Sequence, residues 1–221
     1  MKISKPKAVV LLSGGLDSAV TLYIARDRGF DCRCLIFDYG QRHNKEIECA
    51  KKIAFKTGCH YELLSIGLPW KGSLLLEGKR KLPVVSHQSP VKIPSTYVPG
   101  RNIIFLSFAL SYAEAIKARA IFIGAHNQDY SGYPDCRPEF FRAFSAMALK
   151  GTKAGVEDKR IVIEAPLLNK GKAEIIRMGA KLKVPFSLTW SCYQGGEKPC
   201  GKCDSCYFRI RGFQEAGIKE L

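Results

Sequence analysis

The sequence predicts an α/β fold: a parallel twisted sheet with helices on both faces, followed by a small cysteine-rich C-terminal region. Three observations predict it. Short apolar runs rich in β-branched residues alternate with segments of helical spacing, the pattern of βαβ units. The first such run ends in a Gly pair that opens a helix. Near the C-terminus Cys200, Cys203 and Cys206 fall within seven residues, with Cys192 eight positions upstream. A length of 221 residues at 46% hydrophobic favours one compact domain with an appendage and excludes a disordered chain. The natural division is an α/β domain over residues 1–188 and the cysteine-rich region over 189–221.

The elements follow in order. Residues 8–12 form a continuous apolar run and read as a buried strand. Residues 18–28 carry helical spacing, and Gly29 stops them. Residues 34–37 are a second strand. Asn44 caps a helix to about Lys56 whose buried face holds Ile47, Ala50, Ile53 and Ala54, with Gly58 ending it. Residues 61–64 are a third strand. Five prolines (Pro69, Pro83, Pro90, Pro94 and Pro99) then break the pattern over residues 67–100, a loop length associated with function or mobility. The alternation resumes with a helix over 102–118, a strand over 120–124, a helix over 138–149, a strand over 161–164 and a helix over 170–183 stopped before Pro185. The apolar stretch 103–116 contains Ser107, Ser111, Tyr112 and Glu114. It falls short of the roughly 20 apolar residues of a membrane span, so it is expected to be a buried helix.

Nine cysteines form no even disulfide framework, and the five apolar residues after Lys7 are too few for a signal peptide. A reducing, cytoplasmic setting is expected. Lys and Arg number 35 against 20 Asp and Glu, a net charge of +15. Such a balance attracts polyanions, either phosphorylated cofactors or nucleic acid, although the basic residues are scattered enough to be a solvated surface.

Parallel α/β sheets bind ligands at the carboxyl ends of their strands. The loop after the first strand is Ser13-Gly14-Gly15-Leu16-Asp17-Ser18. Two glycines let backbone N–H groups approach an anion, two serines add hydroxyls, and the next helix aims its positive end at the same point. Asp17 suits an anion site only where a cation accompanies the anion, and a Mg²⁺ held by a carboxylate and phosphate oxygens meets that need. A plain strand-to-helix turn is the competing reading of a Gly pair, but the six-residue set exceeds what a turn requires. Neither G-x-x-x-x-G-K-[ST] nor G-x-G-x-x-G occurs, which argues against Walker ATPases and Rossmann dehydrogenases.

In the C-terminal cluster, two overlapping C-x-x-C steps and a fourth nearby Cys suit a closed tetrahedral site. A structural zinc is the first reading and an iron–sulfur cluster its rival. Lys198 and Lys202 would offset thiolate charge. Most of the other thiols (Cys32, Cys34, Cys49, Cys59 and Cys136) read as small buried hydrophobes.

The segment Ser13–Ser18 resembles the phosphate loop of the PP-loop, or N-type, ATP pyrophosphatases, whose fold is the adenine nucleotide alpha hydrolase-like sheet. A closer resemblance extends from about residue 8 to 213. Ser13–Ser18, residues 38–43 (Asp-Tyr-Gly-Gln-Arg-His), 97–102 (Tyr-Val-Pro-Gly-Arg-Asn), 129–140, and Cys192 to Cys206 occur in the order and character of the 7-cyano-7-deazaguanine synthases. The run Ser-Gly-Tyr-Pro-Asp-Cys-Arg-Pro-Glu-Phe is the most specific. Lys172-Ala173-Glu174 matches a late helix of that family, with Gly171 in place of the expected Ser or Asn. His126 and Asn127 also depart from the pattern.

The resemblance implies conversion of 7-carboxy-7-deazaguanine to the 7-nitrile with ATP and ammonia, on the route to queuosine or archaeosine. It places ATP on Leu12, Ser13, Gly14, Gly15, Leu16, Asp17, Ser18, Arg101, Asn102 and Lys172, with Asp17 and Lys172 catalytic. The metal falls on Cys192, Cys200, Cys203 and Cys206, one structural Zn²⁺ per chain, and Mg²⁺ accompanies ATP. Tyr130, Asp135, Arg137 and Glu139 are expected to hold the acid. Carboxylates suit the donor edge of a guanine-like ring, and a guanidinium fork suits its 7-carboxylate. Tyr133 can stack on the flat ring. The expected partners are these small molecules, with no direct nucleic acid and no membrane, and a homodimer is compatible. Competing readings are another PP-loop enzyme, such as a tRNA sulfurtransferase or a tRNA-lysidine synthase, and a zinc-stabilised nucleic-acid-binding module.

Overall fold

The computed structural model describes residues 4–70, 73–76, 93, 95–126 and 133–220. Five strands form one sheet: β1 (Lys7–Leu11), β2 (Asp31–Asp38), β3 (His60–Ser65), β4 (Ala120–Phe122) and β5 (Val162–Glu164). All neighbouring pairs are parallel, in the order β3-β2-β1-β4-β5. The register sets Val10 of β1 between Cys34 and Phe122. Successive connections run outward from β1 in one direction and from β4 in the other. The crevice between the carboxyl ends of β1 and β4 is therefore the switch point where such sheets bind ligands.

Alternation along β1 divides the core. Ala8 and Val10 face one layer with α1 (Leu16–Asp27), α2 (Lys45–Thr57) and α6 (Lys172–Lys181). Val9 and Leu11 face the other with α3 (Arg101–Ala115) and α4 (Pro138–Gly151). Both faces are covered, so the run is apolar throughout, as in parallel sheets generally. A four-residue helix, α5 (Lys153–Val156), follows α4. No helix among the described residues is long and apolar enough to cross a membrane.

The expected elements are present, with ends shifted by up to three residues. The helix expected to be buried over 103–116 is α3, and it is only half buried. Leu106, Ala109, Leu110 and Ala113 pack inward, while Ile103 and Phe108 are exposed. The reason is that α3 lies on the outside of a layer, so only one stripe meets the sheet. Of the proline-rich loop, Pro83, Pro90 and Pro94 lie outside the described residues.

The cysteine-rich tail holds an element that its thiols obscure in the sequence. Helix α7 (Asp204–Ala216) packs on α6, and its Phe213 joins the core layer of α1 and α2. Gly217, at φ +69, closes it in the left-handed conformation natural to glycine. Arg209 ties α7 to the preceding segment, donating to Ser191 Oγ at 3.0 Å and to the Phe186 carbonyl at 3.1 Å.

Candidate functional site

A cavity of about 290 Å³ opens at the carboxyl ends of β1 and β4. Its floor is the turn between β1 and α1. Ser18 Oγ lies 3.0 Å from Ser13 Oγ, accepts from the Ser13 N–H at 3.2 Å and donates to the Gly15 carbonyl at 3.0 Å. These bonds fold the six residues into a compact ring at the start of α1, where the first N–H groups have no intrahelical partners. Gly14 has a φ of +84, and a Cβ there would sit 2.1 Å from the Glu46 carbonyl oxygen. Any side chain would force α2 off the loop. On the opposite side a Cβ at Gly124 would come within 2.9 Å of Ser18 N, so the end of β4 touches the same ring.

Asp17 projects from that ring but does not stand alone. Lys172 Nζ donates to both its oxygens at 2.9 and 3.0 Å, and His126 Nε2 lies 3.4 Å from Oδ2 and 3.1 Å from Lys172 Nζ. Burial would raise the Asp17 pKa, but the lysine and the imidazole outweigh it and hold the carboxyl well below its usual range. Lys172 reaches this point from the first turn of α6 because α7 offers a glycine beside it. A Cβ at Gly212 would lie 2.4 Å from Lys172 Cγ. The sequence signals Asp17 and Lys172, whereas His126 stood out there only as a departure from the family pattern.

The C-terminal region is strapped to the same loop. The Trp190 N–H donates to the Gly14 carbonyl at 2.9 Å. The Cys192 carbonyl accepts from Trp190 Nε1 at 2.8 Å and meets His43 Nε2 at 3.0 Å. Burial lowers the His43 pKa, with the Cys192 carbonyl pulling against it. Behind this strap the sulfur atoms of Cys192, Cys200, Cys203 and Cys206 all lie within 4.8 Å of one another. Tetrahedral zinc with Zn–S bonds of about 2.3 Å requires sulfurs about 3.8 Å apart, so the set is close to what the metal needs. Only carboxyl-free ligands are present, and no open position is left for substrate.

The far end of the cavity is aromatic and charged. Phe37 and Phe105 stack with centroids 4.0 Å apart, and Tyr39 meets Phe105 edge-on at 5.3 Å. Arg101 begins α3 and hydrogen-bonds Tyr39; burial opposes its charge, and Tyr39 and Tyr133 more than offset that. Glu46, in the first turn of α2, lines the wall beside them. Burial pushes its carboxyl up to about 7, against the pull of Arg101.

The expected acid-binding residues do not gather here. Tyr130 lies outside the described residues. Asp135 is buried, and its carboxylate accepts from the Asn102 N–H at 3.0 Å while its carbonyl accepts from Asn102 Nδ2 at 3.0 Å. It caps the start of α3 from across the fold. Arg137 and Glu139 are exposed and off the cavity wall, because α4 turns away directly after them. From the same segment Tyr133 and Cys136 do line the cavity. Asn102 and Arg101 line it, and so do Leu12, Ser13, Gly15, Leu16 and Ser18. Sequence reasoning missed Glu46, Tyr39 and Trp190. The first two follow the Asp-Tyr-Gly-Gln-Arg-His segment closely or lie within it, which was the available signal.

Residues 7–217 match the family model described as "Queuosine biosynthesis protein QueC". The chain is 49% identical over 218 residues to a protein of Trichodesmium erythraeum named 7-cyano-7-deazaguanine synthase, covering 97% of this chain and 98% of that one. It is 48% identical over 219 residues to a protein of the same name from Thermoplasma acidophilum, covering 99% and 92%. Among solved structures, the NMN synthetase from Francisella tularensis superimposes with a TM-score of 0.50 at 13% identity, covering 98% of this chain and 89% of that one. That likeness is one of fold alone.

Proposed function

The chain belongs to the queuosine biosynthesis protein QueC family, and from that premise we propose how its residues make the 7-nitrile of 7-deazaguanine from the 7-carboxylic acid, ATP and ammonia. It is an enzyme, since its curated relatives are 7-cyano-7-deazaguanine synthases. The observation that carries the mechanism is the ring of Ser13 to Ser18 at the switch point, with Asp17 held ionised beside Lys172.

A carboxylate resists attack by ammonia because oxide is a poor leaving group. In our reading one carboxylate oxygen bonds to the α-phosphorus of ATP, and the bond from that phosphorus to the β-bridging oxygen breaks. Pyrophosphate departs into the N–H groups and hydroxyls of residues 13–18. Ammonia then forms a C–N bond as AMP leaves with the electron pair of the C–O bond, giving the amide. A second activation, of the amide oxygen, lets that oxygen depart with AMP as protons leave nitrogen and the nitrile forms. The protein contributes position and charge. Lys172 neutralises charge developing on the phosphates, and Arg101 and Asn102 close the nucleotide's other side.

Asp17 would hold Mg²⁺ together with ATP phosphate oxygens, the one-carboxylate arrangement usual for this ion. When bound there, Mg²⁺ would supply positive charge against the phosphate charge that repels the carboxylate. Lys172 donates to both oxygens of this carboxylate, so the position concentrates charge beside the phosphate loop, which supports the reading. The four thiols would hold one zinc, whose role is to fix the strap of residues 189–221 on the ATP-binding unit of residues 1–188. The test is direct. Incubated with Mg-ATP, ammonium and 7-carboxy-7-deazaguanine, the protein should yield the amide and then the nitrile by mass spectrometry. An acid returned unchanged by a folded, zinc-loaded protein would refute the reading.

A further inference from the structure

We propose that Glu46 reads the base edge of the deazaguanine acid, its two carboxylate oxygens accepting the ring N–H and the exocyclic amino group. The inference rests on the substrate reading above and assigns a role that the resemblance had given to other residues.

The argument begins with the acids that could serve. A guanine-like edge presents two adjacent donors, and a carboxylate offers two acceptors in one plane. Asp135 is committed to the start of α3, and Glu139 stands outside the wall. Among the described residues the cavity is lined by two acids, Asp17 and Glu46. Asp17 is engaged by Lys172 and His126 at the phosphate loop. The Glu46 side chain makes no hydrogen bond or ion pair among the described residues, although Arg101 attracts its charged form.

Its placement agrees. The Glu46 backbone rests on Gly14, which fixes the side chain relative to the phosphates. Tyr39, Phe105 and Tyr133 give the same end of the cavity flat apolar walls. A purine-like ring seated between them would present one edge to Glu46 and its carboxyl substituent toward the α-phosphorus. Burial without donors keeps the free carboxyl reluctant to ionise, and the two ring donors supply what it lacks.

The experiment compares the acid with its analogue lacking the 2-amino group. Wild-type protein should prefer the amino-bearing acid by about 10²-fold or more in kcat/KM, because removing a partner strands an acceptor in the cavity wall. In Glu46→Gln that preference should shrink to a few-fold, since the amide presents a donor where the ring also donates. Glu46→Asp, which keeps the carboxylate but withdraws it, should retain the preference with a raised KM for the acid. It also covers the case in which the Gln variant does not fold. Undiminished discrimination in Glu46→Gln, or its loss in a folded Glu46→Asp, would overturn the assignment while leaving the reaction intact. Failure of the wild type to turn over the acid at all would instead refute the functional reading, and this inference with it.

Discussion

Two carboxylates line one cavity and meet opposite fates. Asp17 at the phosphate loop has three contacts from Lys172 and His126 and stays ionised far below its usual range. Glu46 at the aromatic end has no such partner, and its carboxyl rises to about 7. Burial acts in the same direction on both; partners decide the outcome. At the phosphate loop charge is matched by charge, whereas the Glu46 side chain meets burial with no hydrogen-bond donor among the described residues.

The largest effect should come from removing the strap that holds the phosphate loop in place. Metal at a Cys₄ site can contribute about 10–16 kcal/mol of apparent binding free energy, comparable with a domain's whole stability of about 5–15 kcal/mol. Cys203→Ser is therefore expected to lower the melting temperature sharply and reduce solubility. Elemental analysis of the parent should find one zinc per chain; iron in its place would redirect the metal assignment.

Asp17→Asn comes next. Loss of one charged group in preorganised phosphate machinery costs about 10²–10³ in rate or more, so acid-dependent pyrophosphate release should nearly vanish with the circular dichroism spectrum unchanged. Release at the parental rate would remove Asp17 from the chemistry.

Gly212→Ala sharpens the same point at a distance. The added methyl would meet Lys172 Cγ at 2.4 Å and Ile176 Cδ1 at 2.9 Å. Overpacking of this kind costs about 1–3 kcal/mol, and here it also displaces the lysine from Asp17. Both stability and turnover should fall. A loss of stability with full activity would show that Lys172 reaches its target by another path.

The smallest effect distinguishes the two acids by pH. Glu46, faced by Arg101 and Tyr39, has a folded pKa of about 7 against an ordinary 4.5. Its ionisation therefore costs the fold stability as pH rises through that window. Glu46→Gln should raise the melting temperature relative to wild type at pH 8 and show little such gain near pH 4. Asp17 has the opposite sign: its depressed pKa supports the fold above the ordinary 3.8, and that support fades as pH falls below it. Thermal melts across the range check both slopes.

The same two ends explain what could be read from residues alone. The phosphate loop itself lies within residues 13–18, directly after a strand, so one contiguous segment discloses its chemistry. Its distant partners were harder: Lys172 was found by its helix, while His126 was visible only as an unexpected residue. The aromatic end draws Tyr39, Glu46, Arg101 and Tyr133 from separate elements, and no local pattern distinguishes Glu46 from a first-turn helix acid. Asp135, Arg137 and Glu139 share one motif, yet none lies on the cavity wall, for a related reason. The motif is specific, but Asp135 serves by positioning α3, and α4 carries the other two outward. Likewise, thiol spacing pointed to the metal site and masked α7, whose apolar Phe213 completes a core built mostly from other elements.

The central claim is that the acid is activated at the α-phosphorus of ATP over the Ser13–Ser18 loop. Turnover of the acid labelled with ¹⁸O in its carboxylate, followed by mass spectrometry of the released nucleotide, tests it most directly. The mechanism predicts AMP carrying ¹⁸O in its phosphate, with unlabelled pyrophosphate. Label recovered in inorganic phosphate with ADP as the nucleotide product would place the attack at the γ-phosphorus and contradict it.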